Sequence, residues 1–168
     1  MIRKLKRKDR EELKRILAQT NHFSKDEIKI ALELIDKYLN DKKQKDYLIY
    51  VYVIDDTKKV AGYICYGKRP LTEMTYDLYW IAVDPDAQGK GIGKSLIEFM
   101  EENLMQPVLR NGRQNGCLVL IETSGKESYR GERTFYEKNG YRIQTIIKNF
   151  YSMGDDLFIF RKYMNNLK

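Results

Sequence analysis

The sequence predicts an α/β protein of the α+β kind, and three observations carry that reading. Two β-rich runs, Tyr47–Ile54 and Val60–Gly67, flank the polar segment Asp55-Asp56-Thr57-Lys58-Lys59, which is a hairpin signal. A third run, Thr75–Val83, leads through the loop Asp84-Pro85-Asp86-Ala87-Gln88-Gly89-Lys90-Gly91-Ile92-Gly93 into an amphipathic stretch. Ser24-Lys25-Asp26-Glu27 has serine and glutamate three apart, the capping box that opens a helix.

The remaining elements follow in chain order. Residues 2–6 form a short first strand, and Asp9 precedes a helix over Arg10–Ala18. Ile28, Ala31, Leu32, Ile35 and Leu39 recur at helical spacing, so residues 25–40 form a second helix. The helix after the glycine loop extends from about Gly91 through Leu104, and Pro107 is expected to end or kink it. Cys117–Thr123 reads as a strand, and Gly131–Asn139 as a short helix that stops at Gly140. Arg142–Tyr151 and Asp156–Tyr163 close the chain as a hairpin across Ser152-Met153-Gly154-Asp155.

Composition narrows the class. With 168 residues the chain is read as a single domain, 1–168, large enough for a real core. No run of about 18 apolar residues is present, so no membrane span is expected. The basic N-terminus lacks an apolar signal segment, which points to a cytoplasmic protein. Cys65 and Cys117 make no disulfide framework and read as buried free thiols. With one histidine, His22, and these two cysteines, no metal site is expected. The net charge is +7, with Arg3, Lys4, Lys6, Arg7, Lys8, Arg10, Lys14 and Arg15 near the start. Asp9, Glu11 and Glu12 interrupt that run, so a solvated helix face is preferred to a nucleic-acid surface.

The glycine loop is the main chemical signal. Glycines at alternate positions let a ligand approach the backbone, and a helix start behind them presents free N–H groups and partial positive charge. Together they suit a pyrophosphate. The dinucleotide spacing G-x-G-x-x-G fails, because Lys94 and Leu96 stand where a third glycine belongs. Gly93-Lys94-Ser95 closes a triphosphate loop, but Gln88 replaces its first glycine and too little chain follows for that fold. Gln88, Gly91 and Gly93 meet a third pattern, Q/R-x-x-G-x-G/A.

That pattern, the Ile-Ala-Val-Asp-Pro strand end before it, and Phe135-Tyr136-Glu137-Lys138-Asn139-Gly140-Tyr141 downstream resemble the GNAT superfamily of N-acetyltransferases. The order of elements resembles that family over nearly the whole chain. The resemblance implies a mixed, mostly antiparallel sheet flanked by helices, with the Thr75–Val83 and Cys117–Thr123 strands splayed apart. It implies acetyl-CoA as cosubstrate and direct acetyl transfer to a primary amine, of a small molecule or of a peptide or protein. It is compatible with a homodimer. Main-chain groups of Ile81, Ala82 and Val83 would face the pantetheine arm and thioester. Backbone N–H groups from Gln88, Gly89, Lys90, Gly91, Ile92, Gly93 and Lys94 would hold the pyrophosphate. Tyr136 matches the tyrosine beside the sulfur, while Tyr129 and Glu132 stand where the family often has asparagine and alanine. Asp77 falls where some members carry a base, with Glu73, Glu122 and ordered water as rivals. Tyr66, Tyr76, Tyr79, Phe150 and Tyr151 line an acceptor pocket or belong to the core. Two other readings stay open: a non-catalytic acyl-CoA-binding module, and a triphosphate-binding protein using Lys94 and Ser95.

A ligand stabilises only the state that it binds. Acetyl-CoA is therefore expected to raise the thermal unfolding midpoint, and ATP with magnesium is not. Differential scanning fluorimetry with both ligands checks this, and greater protection by magnesium-ATP would return the loop to the triphosphate class.

Overall fold

A computed structural model describes residues 1–20, 23–110 and 116–165. The strands are β1 (Ile2–Lys4), β2 (Leu48–Val53), β3 (Val60–Lys68), β4 (Thr75–Val83), β5 (Cys117–Ser124), β6 (Arg142–Ser152) and β7 (Asp155–Met164). The helices are α1 (Arg10–Gln19), α2 (Lys25–Asn40), α3 (Ile92–Arg110) and α4 (Arg130–Lys138). This is an α+β fold with a mixed, mostly antiparallel sheet. Its residues divide into two compact units, Met1–Gly67 with Tyr79–Met100, and Lys68–Leu78 with Glu101–Lys168.

In the first unit the strand order is β1-β2-β3-β4, with β1 antiparallel to β2 and β2 to β3. Alternate residues of β2, Ile49, Val51 and Val53, face a core built from Leu13, Ile16 and Leu17 of α1 and from Ala31 and Ile35 of α2. On the other face of β2, the Tyr50 ring stacks on Tyr66 at 6.1 Å and meets Phe99 of α3 edge-on at 4.7 Å. β3 is thus covered on both sides, which is why Val60–Gly67 is buried without alternation. The capping box forms as its spacing requires: Ser24 N–H donates to Glu27 Oε2 at 2.7 Å, and Glu27 N–H to Ser24 Oγ at 3.2 Å.

In the second unit the order is β4-β5-β7-β6. The N-terminal half of β4 runs parallel to β5, from Thr75↔Leu118 to Leu78↔Ile121, and β5–β7 and β7–β6 are antiparallel. Cys117, Val119, Ile121, Leu157 and Phe160 are buried with Tyr136 and Tyr141. The Tyr141 hydroxyl donates to Glu101 Oε1 at 3.0 Å, and Lys162 Nζ donates to both Glu101 oxygens at 2.7 and 2.8 Å. Burial and the adjacent Glu101 raise the Tyr141 pKa. α4 stops on two reversed bonds, Gly140 N–H to Glu137 C=O at 3.0 Å and Tyr141 N–H to Tyr136 C=O at 3.1 Å.

One expectation changes. α3 continues to Arg110 instead of ending near Leu104. Pro107 removes one N–H from the ladder, but it lies in the last turn, where few bonds remain beyond it. In the N-terminal basic run Lys4, Lys6, Arg7, Lys8 and Lys14 are exposed, and three half-buried arginines pair with acids. Arg3 pairs with Asp9 (2.6 Å), Arg10 with Asp36 (2.6 Å), and Arg15 with Glu12 (2.8 Å). Both thiols are free and buried, and burial pushes Cys117 up to about 11. His22 lies outside the described residues. Among the described residues no helix is long and apolar enough to cross a membrane.

Gly140 has φ +84°, a conformation that costs an L-residue about 1–2 kcal/mol. Gly140→Ala is expected to destabilise the protein by about that amount in urea unfolding. An unchanged midpoint would show that the cap contributes nothing to stability.

Candidate functional site

The loop after β4 is built on one buried carboxylate. Asp84 is 1% exposed. Its side chain accepts the Asp86 N–H at 3.1 Å, and its carbonyl accepts the Ala87 N–H at 2.8 Å, closing a short 3₁₀ turn at Pro85–Ala87. Arg15 of α1 donates to Asp84 Oδ2, and Lys59 Nζ lies 3.1 Å from the same oxygen. Burial pushes this carboxyl up, but the hydrogen bonds from Arg15, Lys59 and the Asp86 N–H outweigh it and hold the pKa below the ordinary 3.8. The Asp84 N–H bonds to Ala61 C=O at 2.8 Å, so the end of β4 is fixed against β3.

Beyond that anchor two glycines carry the chain into α3. Gly89 and Gly91 have φ +75° and +77°. A Cβ added at either would meet nothing within 4 Å, so the space beside the loop is open. The first intrahelical bond of α3 is Ser95 N–H to Gly91 C=O at 2.9 Å. The N–H groups of Ile92, Gly93 and Lys94 precede it and have no acceptor within the helix. Lys90 Nζ bonds the Asp86 carbonyl at 3.0 Å, and Lys94 stands exposed, 3.6 Å from Glu98.

The second unit carries the titratable candidates. Tyr136 of α4 is 2% exposed, and its hydroxyl donates to Glu132 Oε1 at 2.6 Å, one turn back on the same helix. Burial, then the Glu132 carboxylate, raise its pKa well above 10, so the hydroxyl keeps its proton at neutral pH. Asp77 on β4 is held by Arg69. The guanidinium Nε lies 2.9 and 3.0 Å from the two carboxylate oxygens, and Nη2 lies 2.8 Å from Oδ1. The same Nη2 donates to Glu122 of β5 at 2.9 Å. These bonds, Asp77 first, raise the Arg69 pKa. Glu73 is exposed.

Gln88–Lys94 lie with Ile81, Ala82 and Val83 in the first unit; in the second, Arg69 joins Asp77 to Glu122, while Tyr136 bonds Glu132 and packs against Phe160. Tyr66 is fully buried beside Tyr50, Tyr79 packs edge-on against Tyr47, and Phe150 and Tyr151 are exposed on β6. Sequence reasoning missed Asp84, Arg69 and Glu132 as partners of the candidate residues. Only Asp84 had a local signal, since Asp84-Pro85-Asp86 is a turn-opening sequence. Among the described residues no group of three or more His, Cys, Asp or Glu could hold a metal ion.

Known proteins resemble this chain in sequence and in fold. A family model described as an Acetyltransferase (GNAT) domain matches residues 46–143. The S-(2-succino)cysteine N-acetyltransferase of Bacillus subtilis (strain 168) is 30% identical over 94 residues, 54% of this chain and 53% of that protein. The chain thus spans about half the length of this curated relative. A structure described as an acetyltransferase of the GNAT family, from Desulfovibrio desulfuricans, is 35% identical with a TM-score of 0.83, covering 97% of this chain and 98% of that one. An aminoglycoside 6′-N-acetyltransferase solved with coenzyme A shares the fold at 15% identity and a TM-score of 0.68, covering 97% of this chain and 96% of its own.

Removing one side of a buried ion pair costs about 3–5 kcal/mol. Arg15 and Lys59 are partly solvated, so Asp84→Ala is expected to cost about 2 kcal/mol. The depressed pKa gives the pH sign. The Asp84 contribution is complete above about pH 3.8 and is lost as pH falls through the lower folded value. Urea unfolding of wild type and Asp84→Asn across pH 2–6 checks this, and equal acid sensitivity of the two would contradict it.

Proposed function

The chain belongs to the GNAT acetyltransferase family, and on that premise we propose that it moves the acetyl group of acetyl-CoA to a primary amine by direct attack in a ternary complex. The observation that carries this reading is the Gln88–Lys94 backbone, with two positive-φ glycines, open space beside them, and the unpaired N–H groups of a 19-residue helix behind. These features fit a pyrophosphate of acetyl-CoA, with Lys90 and Lys94 adding charge at its edge. The main chain of Ile81, Ala82 and Val83 is assigned to the pantetheine arm and thioester. The B. subtilis relative's name gives a small amine as its acceptor, which supports a small-molecule acceptor here over a protein amine. Two free buried thiols support a cytoplasmic place of action.

The reaction forms a C–N bond and breaks a C–S bond. The attacking amine loses one proton, and the departing sulfur can take one. Tyr136 is assigned to the sulfur, because its hydroxyl stays protonated and its hydrogen bond, now made to Glu132, can be redirected. A thiol's ordinary pKa is about 8.5, so the sulfur leaves as a moderately poor group and gains from a hydrogen bond. Asp77 is assigned to receive the amine's proton, directly or through water. Arg69 occupies both of its oxygens, so the carboxylate must be released first, and Glu122, Glu73 and water are the competing acceptors. That grip also favours a second reading, an acyl-CoA-binding module without turnover.

Gly91→Val is expected to weaken acetyl-CoA binding at least tenfold, about 1.4 kcal/mol, in calorimetry. Unchanged affinity in a folded variant would remove the cradle assignment. Tyr136→Phe keeps the buried ring and deletes the hydroxyl. It is expected to lower kcat about 10²-fold, the low end for acid assistance, with acetyl-CoA affinity unchanged. Wild-type turnover where chemistry limits would make Tyr136 a packing residue, and no turnover of any amine by wild-type protein would favour the binding module.

A further inference from the structure

The strand register of the second unit gathers charge on one face of the sheet. Asp77 is level with Leu120, Leu120 with Arg161, and Arg161 with Arg142, so these four share a row and a face. Two residues along β5, on the same face, is Glu122, level with Ile159 of β7. Arg69 reaches this face too, because it bonds both Asp77 and Glu122. The face thus holds three guanidiniums and two carboxylates. Arg69 is shared between the two acids. Arg161 and Arg142 are exposed and have no ion-pair partner among the described residues.

Arg142 and Arg161 are directly opposed on neighbouring antiparallel strands. Such partners sit about 5 Å apart at Cβ, and like charges there are destabilising. An anion between them would relieve that repulsion, and a planar guanidinium pair suits carboxylates, which it can grip through two parallel N–H bonds. Adjacent strands lie about 4.8 Å apart, so Arg161 is roughly 10 Å from Asp77 across the intervening β5. One ligand of modest length therefore spans an acid end and a basic end.

The geometry points to an acceptor that is itself an acid: an α-amino acid whose side chain carries carboxylates. Its ammonium lies against Asp77 and Glu122, and its side-chain carboxylates lie between Arg161 and Arg142. This rests on the acetyltransferase reading for the fate of the amine, but the binding itself does not require transfer. A polyamine fits poorly, since its far charges would meet the two unpaired arginines.

The test is a graded series of thioether amino acids: L-methionine, S-carboxymethyl-L-cysteine and S-(2-succino)cysteine, with none, one and two side-chain carboxylates. Direct calorimetry on the full chain, with and without CoA, is paired with acetyl transfer assays and spermidine as the cationic control. Affinity is expected to rise at least tenfold from L-methionine to the dicarboxylate. Arg161→Gln and Arg142→Gln, both at exposed positions, are each expected to remove most of that gain. A flat or reversed order, tighter binding of spermidine, or full preference retained in both variants overturns the inference. The two readings fail separately. The graded preference without any acetyl transfer would keep the acid site and remove the transferase, whereas transfer with a flat order would do the opposite.

Discussion

After β4 the N–H groups of Asp86, Ala87 and Gln88 close a short turn, and those of Ile92, Gly93 and Lys94 are left without an acceptor inside α3. That arrangement depends on Asp84. A buried carboxylate is costly unless it is paired, and Asp84 is held by Arg15, by Lys59 and by the Asp86 N–H. Because Arg15 lies on α1 and Lys59 in the β2–β3 turn, the loop's position is set by elements far away in sequence. The carboxylate closes the Pro85–Ala87 turn, and the two positive-φ glycines then direct the chain into α3. A site preorganised in this way meets its ligand without ordering a flexible loop, which would otherwise reduce the binding free energy.

The second unit shows the same habit of fixing polar groups in apolar surroundings. Tyr136 and Tyr141 are buried rings whose hydroxyls each reach a carboxylate, Glu132 and Glu101. The reversed bonds that end α4 run through the Tyr136 carbonyl, so the cap and the tyrosine occupy one short segment. On the opposite face of β5 the charges are only partly matched. Arg69 pairs with Asp77 and Glu122 together, while Arg161 and Arg142 stand level with each other and have no ion-pair partner among the described residues. A folded surface has ample solvent for single charges, so it is the opposed pair, not the arginine count, that marks this face.

Much of this was legible from local pattern. Thr75–Val83 was read to the residue, because an apolar run bounded by turn residues is a local signal. The capping box placed the start of α2, and Gly140 placed the end of α4, because each is written within a few adjacent residues. The glycine loop was legible for the same reason. The course of α3 past Pro107 was not, since a proline near a helix end can be tolerated and the sequence alone does not show where the last turn falls. The ion pairs were also hidden. Arg15 and Asp84 are separated by 69 positions, and Arg69 and Glu122 by 53, so only the fold brings them together. Glu132 is visible in the sequence only as a departure from the family's alanine, and its partner appears only with the Tyr136 hydroxyl in view.

The proposed cradle is the main chain of residues 89–94, rather than any side chain, receiving the pyrophosphate of acetyl-CoA. Amide hydrogen exchange resolved by NMR reads this directly, with and without saturating acetyl-CoA. The N–H groups from Gly89 to Lys94 are expected to slow markedly and to shift on binding, and to do so equally with CoA, which carries the same pyrophosphate. Acetyl-CoA binding that left these amides exchanging as in the free protein would contradict the account, because the ligand would then be held elsewhere.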